Sequence, residues 1–162
     1  PKPIHMKNIC LCIFLLLSGT AMAQEEEMKV SAVILSIFDG MREGDSAKVA
    51  SHFIRDATMM SVSHDKEGNS VIHGGSLQQW LNAIGTPRDA VLDERIWDTK
   101  VRIDDNLATV WTNYALYVGD NYSHCGVDAF QLYHDGTAWK VFHVADTRRK
   151  DCDIPEYVKS KD

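Results

Sequence analysis

The run Ala108-Thr-Val-Trp-Thr-Asn-Tyr-Ala-Leu-Tyr-Val118, then Gly119-Asp-Asn-Tyr122, then Ser123-His-Cys-Gly-Val-Asp-Ala-Phe-Gln-Leu-Tyr-His134, decides the fold. Each flank is a strand-like stretch and the Gly-Asp-Asn between them is turn chemistry, so the flanks read as paired antiparallel strands. The pattern extends both ways. Arg95 to Ile103 precedes it across Asp104-Asp-Asn106, and Trp139 to Thr147 follows it across His134-Asp-Gly-Thr137. Four strands joined by short polar turns form an antiparallel meander.

Upstream the period changes. Glu25-Glu-Glu27 puts negative charge where a helix N-terminus favours it, and Val30, Ile34, Ile37, Phe38 and Met41 recur at helical spacing. The spacing predicts a helix ending at Gly40 or Gly44. Asp45-Ser46 caps a second helix that carries Val49 and Phe53 on one face and ends near Asp56-Ala57. Thr58 to Ser63 and Ser70 to His73 read as two short strands around a polar loop. Ser76-Leu-Gln-Gln79 is a capping box opening a third helix through Leu77, Trp80, Leu81 and Ile84. Helices followed by a long meander indicate an α+β domain with the helices on one face of a curved sheet.

Residues 1–23 stand apart. Met6-Lys7-Asn8, the apolar run Ile9 to Leu17 and Ala21-Met22-Ala23 have the layout of an export signal, with Gln24 expected as the mature N-terminus. The apolar run is too short to span a bilayer. The full chain of 162 residues has a formal charge of −6. The segment up to Ala23 holds two Lys and no acid, so the 139 residues from Gln24 carry −8. That argues against nucleic acid or an anionic membrane as a partner. Export to the periplasm or outside the cell is expected, with residues 24–150 as one domain and 151–162 as a charged tail. Cys125 and Cys152 remain after cleavage, and an oxidising compartment allows a disulfide between them without demanding it.

The order of elements, with His52-Phe-Ile-Arg-Asp-Ala57, His73-Gly74 before the third helix and Asp135-Gly-Thr-Ala-Trp-Lys-Val141 opening the last strand, resembles the superfamily of nuclear transport factor 2, SnoaL-type cyclases and ketosteroid isomerase. Ser123 to Gln131 and Asp146-Thr-Arg-Arg149 are similar to its exported bacterial branch of putative lumazine-binding type. The resemblance covers roughly Glu27 to Arg149. It implies a cone-shaped fold, three N-terminal helices packed on a curved antiparallel sheet, an apolar pocket, and often a homodimer through the outer sheet face. It does not imply a reaction, because function on one fold differs with the site.

For the site, a tight hairpin closed by Gly119 to Tyr122 pairs Tyr117 with His124, Asn113 with Asp128 and Trp111 with Phe130. Cross-strand partners share a face. That face then gathers Trp111, Asn113, Tyr117, His124, Asp128, Phe130 and Leu132, which are aromatic walls around a few polar groups, the make-up of a small-molecule pocket. Asp128 among aromatics would have a raised pKa and act as acid or base with His124 as proton partner and Tyr117 as hydroxyl donor. The plainer alternative is a clasp in which Asp128 hydrogen-bonds Asn113 or His124 across the hairpin. His143, on the face of Trp139 and Val141, either reaches the cavity or is a satisfied rim residue. Asp146 to Arg149 either binds an anion or pairs internally, Arg148 with Asp146 or Asp151; pairing is the expectation.

The histidines show no short-spaced ligand pair, so no metal is expected. No phosphate loop, Rossmann fingerprint or nucleophile elbow is present, so no cofactor is expected. Val141 on one face of the last strand and Phe142 and Val144 on the other call for cover outside the sheet, which a second copy would supply. The reading is an exported domain that binds a small apolar or aromatic ligand without catalysis. The alternatives are an isomerase, dehydratase or cyclase using Asp128 and His124, and an interaction module with a filled cavity.

Overall fold

The computed structural model describes residues 6–160, with side chains from Met22 onward. Pro1 to His5 and the side chains of Ile9 to Leu17, on which the expected export signal rests, lie outside the described residues. Helix α1 runs Met6–Glu43 and is followed by α2 Ser46–Ala50, β1 Phe53–His64, β2 Ser70–Ser76, α3 Leu77–Gly85, β3 Leu92–Asp104, β4 Leu107–Val118, β5 Asn121–His134, β6 Trp139–Thr147 and a short α4 Glu156–Lys159. No described helix is long and apolar enough to cross a membrane.

The stripe Val30, Ile34, Ile37, Phe38 and Met41 of α1 is buried against the inner-face residues Val110, Phe130, Leu132, Trp139, Val141 and Val144 of the sheet. Burying one such side chain stabilises by about 2 kcal/mol, so this single stripe is the principal attachment of helix to sheet. Leu81 and Ile84 bring α3 onto the same core. Ser76 caps α3 through its Oγ, which accepts from the Gln79 N–H at 3.3 Å.

The six strands lie in the order β2-β1-β6-β5-β4-β3. The meander β3 to β6 is antiparallel, as its turns require, but β1 runs parallel to β6, with Ser61 opposite Asp146 and Val62 opposite Thr147. This pairing corrects the second helix. Helix α2 stops at Ala50, and Phe53 onward is extended because the His52 carbonyl accepts the Val141 N–H at 2.8 Å and Phe53 pairs with Val141. A hydrogen-bonded partner almost ninety residues away overrides a local helical spacing.

Two bulges set which side chains face inward. Between β4 and β5 the turn is two residues, Gly119-Asp120, with Val118 opposite Asn121. Gly119 takes φ +61, the left-handed conformation such hairpins need. A bulge at Ser123 then gives Leu116 with His124, Thr112 with Asp128 and Val110 with Phe130. The expected register is off by one on the β4 side. A one-residue slip sends β4 side chains to the opposite face, so Thr112 and Tyr114 point in and Trp111 and Asn113 point out. A second bulge, at Phe142, pairs Leu132 with Val141 but Gln131 with His143. Val141 and Val144 therefore share the inner face and His143 turns outward. Val144 thus moves from the expected outer face to the inner one, and Phe142 remains on the outer face, where it packs on Tyr133 with ring centroids 6.5 Å apart.

The tail is held. Cys125, buried on the outer face of β5, is bonded to Cys152, and Cys125 and Arg149 exchange two backbone hydrogen bonds of 3.0 Å. Beyond the bond, Val158 of α4 is buried, and Arg95 Nη1 donates to the carbonyls of Val158 and Lys159 at 2.8 and 2.7 Å. Arg95 also pairs with Asp93, which Arg42 of α1 grips from the other side, each at 2.8 Å. The 27-residue separation of the two cysteines corresponds to a chain-entropy contribution of about 3.5 kcal/mol. Cys152→Ser, or reduction, is expected to lower the melting temperature accordingly. Superimposable melts with and without reductant would show that α4 docking alone holds the tail.

Candidate functional site

Between the inner face of the sheet and helices α1 and α3 lies a cavity of about 630 Å³. Its walls are apolar: Phe38 from α1, Trp80 from α3, Met59 from β1, Phe130 from β5 and Val144 from β6. Phe38 meets Phe130 edge-on at 6.1 Å, which fixes both rings. Gly74 and Gly75 of β2 line the mouth, where a Cβ on Gly74 would meet nothing within 4 Å.

The polar floor is one rung of the sheet. Ser61 of β1 lies opposite Asp146 of β6, Asp146 opposite Asp128 of β5, and Asp128 opposite Thr112 of β4. Thr112 is satisfied by a 2.6 Å hydrogen bond with Thr99. The others are not: Ser61 Oγ, Asp128 Oδ2 and Asp146 Oδ1 are buried without a hydrogen-bond partner, and all three residues line the cavity. Glu94 enters from β3 and hydrogen-bonds Asp128. Arg148 Nε donates to the remaining Asp146 oxygen at 2.7 Å, the expected internal pair.

Burial of this floor changes its titration. Desolvation pushes the Glu94 carboxyl up to about 7, with the Asp146 charge adding to the rise and the Asp128 hydrogen bond opposing it. Asp128 rises well above the carboxylate range through burial first, then through the charges of Glu94 and Asp146. Two carboxyls in hydrogen-bond contact under a low-dielectric wall retain a proton between them at a pH where surface carboxylates have none.

Of the residues expected at the site, Asp128 and Phe130 line the cavity, and the others do not. Trp111 is 55% exposed on the outer face. Asn113 points outward beside it, opposite Trp97 and Val127. Tyr117 sits under the Arg95 guanidinium, 4.0 Å from its ring centroid. His143 Nδ1 hydrogen-bonds Thr58 Oγ1 at 2.6 Å. His124 shares the inner face with Asp128 but packs edge-on against Tyr114 at 5.7 Å and hydrogen-bonds Ser123 at 2.9 Å. Burial and then the Arg148 charge lower its pKa, which favours neutral imidazole. Neither Asn113 nor His124 clasps Asp128; Glu94 does. Glu94 was overlooked although Leu92, Glu94 and Ile96 alternate at period two, which places an acid on an otherwise apolar strand face.

A curved sheet carrying its helices on the concave side around a cavity is the nuclear transport factor 2-like class of fold. A family model described as "Putative lumazine-binding" matches residues 25–144, and the chain belongs to that family. A nuclear transport factor 2-like protein of unknown function from Shewanella baltica is 17% identical over 78% of this chain and 96% of its own, with a TM-score of 0.60. A putative scytalone dehydratase from Novosphingobium aromaticivorans is 12% identical over 84% and 92%, at 0.64. The beta subunit of a putative aromatic-ring-hydroxylating dioxygenase from the same organism is 9% identical over 85% and 97%, at 0.64. At such identities the likeness is one of fold. No curated protein matches the chain.

A carboxyl whose pKa is raised on folding binds a proton that the unfolded chain gives up. Its contribution to stability is therefore lost as pH rises from the ordinary Glu value of 4.5 to about 7. Glu94→Gln is expected to gain stability relative to the unmutated protein over that window, by about 2 kcal/mol, read as diverging melting temperatures between about pH 5 and pH 7.5. The difference cancels the opposing titration of His52 and His124, whose pKa values burial lowers. Parallel pH profiles would place Glu94 in contact with water.

Proposed function

We propose that this chain is an exported binding domain that takes a small apolar or aromatic molecule into its cone without transforming it. The observation that carries this reading is the combination of an open cavity of about 630 Å³ with a floor of buried, unpartnered oxygens. Leaving a buried polar atom unpaired costs roughly 1–3 kcal/mol, a cost that a bound ligand offsets. Apolar walls supply affinity and a few fixed polar groups supply orientation. The description of the family agrees with a small planar ligand, and the filled-cavity interaction module lacks the packed interior it needs.

Ser61→Phe fills the cavity from β1. In thermal-shift assays against a panel of bicyclic aromatics, the unmutated protein is expected to melt higher with at least one member, while the variant, itself folded, does not respond. Equal responses from both would put the ligand elsewhere and sink the reading.

One observation favours a second reading, acid–base catalysis. The Glu94–Asp128 pair shares a proton near neutral pH, the condition a general acid or base requires. In that case Glu94 takes the partner role first given to His124. Asp128→Asn would then lower turnover of an isomerisation or dehydration by at least about 100-fold, whereas His124→Ala would lower it far less. Turnover surviving Asp128→Asn removes this reading.

A further inference from the structure

We infer that the molecule received in the cone is an organic cation, a protonated amine on an aromatic or apolar body, with its nitrogen lodged on the Ser61–Asp146–Asp128 rung. This rests on the ligand-binding reading and adds the chemical class to it. Asp128 is only 5% exposed, yet its Oδ2 has no partner and its side chain lines the cavity. The other two orphan atoms, Asp146 Oδ1 and Ser61 Oγ, stand on successive neighbouring strands of the same rung. Three unpaired oxygens in a row, two of them carboxylate oxygens, accept hydrogen bonds. The complementary group is a donor with several N–H bonds and positive charge, which an ammonium supplies.

Charge and walls agree with that assignment. Every titratable group of the floor can be counted: Glu94 from β3, Asp128 from β5, Asp146 from β6 and Arg148 just past its end; Tyr114 of β4 lies beneath and donates its hydroxyl to the Thr147 carbonyl at 2.9 Å, and His73 of β2 stands at the mouth. Helices α1 and α3 and strand β1 add no charge to the lining. Three carboxyls face one guanidinium, and that guanidinium is already engaged by Asp146. An anionic ligand meets net repulsion here. Phe38, Trp80 and Phe130 supply the ring faces that attract a desolvated cation. A metal ion is a poor substitute, because among the described residues no three His, Cys, Asp or Glu side chains are arranged to hold one.

The same geometry couples binding to protons. With the cone empty, the crowded floor lowers its own charge by retaining a proton on the Glu94–Asp128 pair. An arriving ammonium supplies that positive charge instead, so the retained proton is released to solvent as the amine binds. Affinity for the amine therefore rises with pH between about 5 and 7.5, the opposite of what a neutral ligand that needs the protonated pair would show.

Three probes of one shape separate the possibilities: naphthylmethylamine, naphthylmethanol and naphthoate, titrated calorimetrically into the intact chain. The amine is expected to bind at least about tenfold tighter than the alcohol near pH 7.5, with naphthoate weakest, and to lose most of that advantage near pH 5. Repeating the amine titration in two buffers of different ionisation enthalpy counts the released proton on the unmutated protein, so the test does not depend on any variant folding. Asp146→Asn removes one charge from the rung and is expected to weaken the amine at least about tenfold more than the alcohol, so that the ratio of the two affinities falls. If the alcohol binds as tightly as the amine, or the amine binds without releasing a proton, the cation assignment is overturned and the ligand-binding reading stands. If none of the three binds, both fall together.

Discussion

The parallel pairing of β1 with β6 is the constraint on which the rest of the molecule depends. Without it, β3 to β6 would be a four-stranded meander with a helix on one face and an open margin at β6. By laying Ser61 beside Asp146 and Met59 beside Val144, the pairing extends the sheet beyond the core, carries β2 and α3 to the far side, and turns a covered sheet into a walled cavity. It also shortens α2, since the His52 carbonyl is spent on Val141. Parallel strands need a long connection, and here that connection is most of the domain.

This also explains what could and could not be read in the amino-acid order. The α1 stripe was legible residue by residue, because helical periodicity reports burial on a single element. The meander and the Ser76 cap were legible for the same local reason. The inward face of β4 was not. Its phase depends on one extra residue, Ser123, in a neighbouring strand, and no spacing within β4 records it. The outward turn of His143 likewise depends on the bulge at Phe142. Asp128 was found because β5 itself was phased correctly, whereas Glu94 required knowing that β3 begins at Leu92 and that its inner face reaches the cavity floor.

The floor concentrates unfavourable electrostatics. Asp128 and Asp146 stand opposite one another on adjacent strands, an arrangement of like charge that normally destabilises a sheet, and Glu94 adds a third carboxyl. Only Arg148 opposes them directly. A protein built solely for stability would place Thr, Val or Leu at such positions, as it does elsewhere on the same inner face with Thr112, Val110 and Leu132. Retaining acids there concentrates unsatisfied electrostatics at the bottom of the one cavity described here that has aromatic walls, which is where departures from local consistency are expected to serve function.

Gly126 lies one turn of the pleat from Asp128, and a Cβ on it would come within 1.8 Å of the Thr147 carbonyl oxygen. Backbone rests on backbone at that point, and Thr147 is flanked by Asp146 and Arg148. The position of the ion pair in the floor is thus calibrated by the absence of a single methyl group on a different strand. Any side chain at residue 126 would have to push β6 away from β5 and the Tyr114 ring aside, so the tightest steric demand beside the floor falls on a residue that has no side chain of its own.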